Sequence, residues 1–94
     1  MRRMNRGYAV SWIGIDGTPC AGRLDIGATA ATLVGATRGI PRHETVRFDE
    51  IAAVRFERGR LHIVRRIGAT LLIASLDGPG ALREVADGLA GVLP

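Results

Sequence analysis

The chain has 94 residues, 47% hydrophobic and 23% charged, the length and balance of one compact domain with its own core. One cysteine, two histidines and no long apolar run exclude a disulfide framework, a cysteine-rich zinc site and a transmembrane helix. The formal charge of +4 comes from 13 arginines, without any lysine, against 9 acids, and Arg2, Arg3 and Arg6 supply most of the excess. Residues 1–6 therefore read as a basic tail ahead of a single domain at 7–94, and the charge points only weakly to nucleic acid or membrane.

In chain order, Ala9 to Ile15 is too short for the apolar region of an export signal. Gly14 interrupts it, Asp16 closes it, and Gly17-Thr18-Pro19 ahead of Cys20 is no lipoprotein cleavage box. The stretch reads as a strand, and the protein as cytoplasmic. Breakers at Asp16-Gly17, Gly27, Gly35 to Pro41, Arg58-Gly59, Gly68 and Asp77-Gly78-Pro79 leave runs of strand length. Strands are predicted at 8–15, 18–26, 30–36, 43–48, 51–58, 60–66 and 69–75. The last segment differs, because Leu82, Val85, Ala86, Leu89, Ala90 and Leu93 recur at helical spacing behind Asp77, the expected cap.

A two-residue turn at Arg58-Gly59 pairs Glu57 with Arg60, Phe56 with Leu61, Arg55 with His62 and Val54 with Ile63, apolar pairs on one face and polar pairs on the other. The same treatment of Asp16-Gly17 sets Ile13 opposite Cys20 and turns Tyr8, Val10 and Trp12 outward. A tight turn at Ile67-Gly68 places Val64, Leu71 and Ile73 outside, where they need a cover from the helix, the tail or another subunit.

Seven short antiparallel strands in 94 residues favour a closed or nearly closed barrel with the helix at one end. Thr45-Val46-Arg47-Phe48-Asp49-Glu50-Ile51, then Val54 and Phe56, then Gly59-Arg60-Leu61-His62-Ile63 resembles the strand, acidic corner, strand, turn and strand of bacterial PH-like and GRAM-like domains. The resemblance implies a mainly β fold, with seven strands in two packed sheets capped by a C-terminal α-helix. It also makes self-association plausible. Phosphoinositide-binding members carry cations at the first hairpin loop, whereas Ile15-Asp16-Gly17-Thr18-Pro19 places a carboxylate there, so headgroup binding is not carried over.

Catalysis is not expected. Cys20 reads as a small core filler, and His43 and His62 as groups on solvated faces. The two histidines have no chelating geometry for a metal, and the glycines around Pro79 match no phosphate-binding motif, so no cofactor is expected. The expected function is a non-catalytic interaction or assembly module that contacts itself or another protein. Its surface is expected at Tyr8, Val10, Trp12, Val64, Leu71 and Ile73. The alternative is weak binding to anionic membrane or nucleic acid through the arginine tail and the 55–66 hairpin, with Arg55, Arg58, Arg60, His62 and Arg66 as the anion-binding groups.

Overall fold

The computed structural model describes residues 6–14, 16–78 and 80–93, so Arg2 and Arg3 of the expected tail lie outside the described residues. The strands are β1 (Arg6–Ile13), β2 (Pro19–Ile26), β3 (Ala30–Thr37), β4 (Ile40–Arg47), β5 (Ile51–Glu57), β6 (Arg60–Arg65) and β7 (Leu71–Ser75). A 3-10 turn at Phe48–Glu50 joins β4 to β5, and the helix α1 (Ala81–Val92) closes the chain. β4 starts three residues earlier than its expected start at 43. Arg38 and Gly39 alone reverse the chain, with φ of 50° and 80°, the left-handed pair that a two-residue hairpin turn requires. Pro41 fits in β4 because β4 is an edge strand, whose outward N–H bonds have no ladder to join.

All pairings are antiparallel in one sheet of order β4-β3-β2-β1-β7-β6-β5. The two expected sheets are thus continuous through β1 and β7. The edges β4 and β5 do not pair with each other, so the sheet is not closed. One face of every strand feeds a single core that includes Val10, Trp12, Leu24, Leu33, Val46, Ile51, Leu61, Ile63 and Ile73. Leu82, Val85, Ala86 and Leu89 of α1 join it, on the i, i+3, i+4, i+7 spacing that aligns one helical face. The helix packs against β5, β6 and β7. Tyr8 donates its hydroxyl to Glu84 at 3.2 Å, and the Arg83 guanidinium lies 5.3 Å from the Phe56 ring centre.

Two glycines let the sheet curl. Gly22 on β2 faces Gly35 on β3. A Cβ on Gly22 would overlap the Val34 carbonyl oxygen, and one on Gly35 the Ala21 carbonyl oxygen. Only bare backbone allows this approach. With the sheet bent there, Glu44 of β4 comes within 3.6 Å of Arg65 of β6 across the gap between the edges.

The β5–β6 register is as expected, from Glu57 opposite Arg60 to Val54 opposite Ile63, and Leu61 is fully buried. The other two registers are corrected by one residue. Trp12, not Ile13, faces Cys20, because the β1–β2 loop spans residues 14–18, closed by Gly14 N–H donating to the Thr18 carbonyl at 2.8 Å. Leu61 faces Ile73 and Ile63 faces Leu71, because the chain runs on beyond Gly68 through the Arg65 Nε bond to the Ala69 carbonyl at 3.0 Å. A one-residue slip exchanges the two faces of a strand. Asp77 is not the helix cap: Gly80 takes that position without a side-chain bond. Ser75 Oγ instead accepts from the Asp77 and Gly78 amides.

Candidate functional site: the outer face of the sheet

The corrected registers decide which of the expected surface residues reach solvent. Val10, Trp12, Leu71 and Ile73 are core residues, between 0% and 3% exposed, and Tyr8 packs against them. They form no outward surface. Of that group only Val64 stays on the outer face, half-buried and opposite Ala53.

What faces outward instead is legible in the register. Ile13 lies beside Pro19, and Ser11, Ala21, Ala36 and Pro41 follow one another across β1, β2, β3 and β4. Val34 stands one level further along β3, beside Arg23 and His43. Ile13 is 48% and Val34 42% exposed. No other element of the described residues packs over this apolar face, since α1 packs on β5, β6 and β7. Sequence patterning missed the face because the one-residue slip at the first loop turned Ile13 and Ser11 inward. Their alternation with Tyr8, Val10 and Trp12 was the available signal.

The cationic residues divide. Arg55, Arg60 and His62 share the outer face of the β5–β6 hairpin, with Arg58 at its tip. Among the described residues, Arg55, Arg58 and Arg60 have no acidic partner. Arg66 sits at the far end of β6 and donates through Nε to the Asp49 carbonyl at 3.0 Å. Arg65 points inward to Glu44, both side chains about five-sixths buried.

On the inner side of the sheet a pocket of about 160 Å³ lies between Trp12, Gly14, Cys20, Arg42, His43 and Glu44. Arg42 is held by Asp16 at 3.0 Å. Asp16 also accepts from the Thr18 hydroxyl at 2.6 Å and the Thr18 amide at 3.1 Å. The Thr18 hydroxyl and then its amide hold the Asp16 carboxyl below the ordinary 3.8; desolvation opposes them, and Arg42 adds to the lowering. The Cys20 thiol is buried and donates to the Thr18 carbonyl at 3.6 Å, with no bond to His43. Arg42 Nε and Glu44 Oε2 are sealed without hydrogen-bond partners. No cluster of metal-ligating side chains occurs among the described residues.

The fold has a solved counterpart. The C-terminal domain of an unknown protein from Leishmania infantum matches 90% of this chain and 82% of its own, with a TM-score of 0.70 and 12% identity, a likeness of fold alone. No family model matches the chain, and no curated protein matches its sequence. Among the described residues no helix is long and apolar enough to cross a membrane.

Proposed function

We propose that the chain is a non-catalytic protein-interaction module with a PH-like arrangement of strands and helix, and that it docks through the outer face of β1 to β3. One observation carries this reading: Ile13 and Val34 stand about half exposed on an outer sheet face whose residues between them, Pro19, Ala21 and Ala36, are apolar, with no element among the described residues packed over it. An antiparallel sheet normally turns its second face to water with polar groups, so an apolar outer face marks a contact. The strand order, with β1 joining β7 and the helix packed beside β5, supports the PH-like reading. The non-catalytic reading is supported by Cys20, whose thiol is engaged by the Thr18 carbonyl rather than by a base.

A dye that fluoresces on exposed apolar surface tests the face. It binds the native protein at neutral pH and loses that signal in Val34→Asp. Native protein that leaves the dye dark overturns the reading.

The unpaired Arg55, Arg58 and Arg60 favour a second reading, attraction to anionic membrane or nucleic acid. With Trp12 and Tyr8 turned to the core side, the hairpin lacks a ring on which bases stack. Sedimentation with anionic vesicles and a salt series on an oligonucleotide separate these two partners.

A further inference from the structure

We infer that the tip of the β3–β4 hairpin, residues 35–44, is a flap that lifts from the sheet and gates the pocket beside Trp12 and Cys20. The tip is tied to the molecule by few apolar contacts. Its positions on the inner side are Gly35, Thr37, Arg42 and Glu44, and Ile40 at the turn is 58% exposed, so none puts a large apolar side chain into the core. The apolar inward residues of the same two strands, Ala31, Leu33 and Val46, lie further from the turn. The ladder between β2 and β3 ends at Ala21 with Ala36, so lifting the tip breaks the sheet only at its last pairs. At that level Gly22 faces Gly35, which leaves the base of the tip without side chains that resist bending. A segment with few buried apolar contacts opens at low cost, ahead of global unfolding.

Two ion pairs latch the flap. Arg42 reaches Asp16 on the β1–β2 loop at 3.0 Å, and Glu44 lies 3.6 Å from Arg65 of β6 across the gap between the sheet edges. The first is partly exposed and correspondingly weak. The second is mostly buried, yet Glu44 Oε2, like Arg42 Nε, is sealed from solvent without a hydrogen bond. The closed state therefore carries a desolvation cost that opening relieves. Behind the latch stands the pocket of about 160 Å³, whose far walls are Trp12, Gly14 and Cys20. Weak latch, bare hinge and pocket coincide on one hairpin.

Cys20, the single cysteine, reports the opening because its buried thiol lies on the pocket wall. The full chain is mixed with an aromatic disulfide reagent at neutral pH, and labelling is timed across a urea series below the unfolding midpoint. A lifting flap exposes little surface, so labelling changes less than about threefold across the series. Labelling that rises with the slope of global unfolding overturns the gate. Glu44→Met with Arg65→Met puts apolar side chains at the seam and slows labelling without urea at least tenfold. Asp16→Asn, which frees Arg42, speeds it at least threefold. A response to the methionine pair alone assigns the latch to Glu44 and keeps the flap. A response to Asp16→Asn alone means that the first loop opens instead, and unchanged labelling in both means that Cys20 is reached by another route; either result removes the flap. If the methionine pair prevents folding, Glu44→Gln, which cancels the buried pair, takes its place and must speed labelling at least threefold.

Discussion

Asp16 shows how much local order one exposed side chain can impose. Its carboxylate accepts both Thr18 donors and reaches Arg42 on β4, tying the first loop to an edge strand. These partners favour the ionised form, so its folded-state pKa lies below the unfolded 3.8. The contribution to stability is fully present above that value and is lost as pH falls through the folded pKa. Thermal melts of the native chain and Asp16→Asn between pH 6 and pH 2 should differ at the upper end and converge at the lower. A gap that widens on acidification would contradict the assignment. Asp16, whose carboxylate made headgroup binding at the first loop unexpected, is thus the residue that shapes that loop, and the second role was not legible in the sequence because it depends on Thr18 and Arg42.

At the scale of elements, number and kind were legible, and faces only in part. Arg58-Gly59 supports the register of its hairpin because two residues are its whole turn. Asp16-Gly17 and Ile67-Gly68 look alike in sequence, but their loops continue through a bond from the Gly14 amide to Thr18 and one from the Arg65 side chain to Ala69 that composition does not announce. An odd slip then moved Val10, Trp12, Leu71 and Ile73 from the surface to the core. Side-chain bulk was the better guide: Tyr8, Val10 and Trp12 enclose far more apolar surface than Ala9, Ser11 and Ile13, and burial favours the larger set. The Gly22–Gly35 contact had no counterpart in the sequence reading, since its meaning depends on which strands adjoin. Gly22→Ala should destabilise the fold by about 3 kcal/mol, the upper end for overpacking, because the clash is with backbone that can yield only by separating β2 from β3. A denaturant midpoint within error of the native chain would show that the sheet is not held bent there.

For the whole molecule, the outer face of β1 to β3 and the cationic hairpin of β5 and β6 lie in different parts of one sheet. This separates the proposed docking face from the hairpin proposed to attract anions, so Val34→Asp tests the first and the vesicle and oligonucleotide measurements test the second. The sequence carried the composition of both surfaces but not their separation, which arises from the chain order of the strands. The first four strands form successive hairpins, as do the last three, and the two halves share the β1–β7 ladder of Val10 with Ser75, Ser11 with Ala74 and Trp12 with Ile73.

That short ladder has a kinetic consequence. Neighbouring hairpins close small loops, but uniting β1 with β7 confines more than sixty intervening residues, the contact of greatest sequence separation in the sheet. Ile73→Ala, at this seam, should therefore slow refolding about as strongly as it lowers stability, whereas Leu33→Ala, inside a local hairpin, should act chiefly by speeding unfolding. Stopped-flow traces of Trp12 emission would report both, since that indole sits at the junction. Equal refolding rates for native and Ile73→Ala protein would mean that the halves meet after the barrier has been crossed.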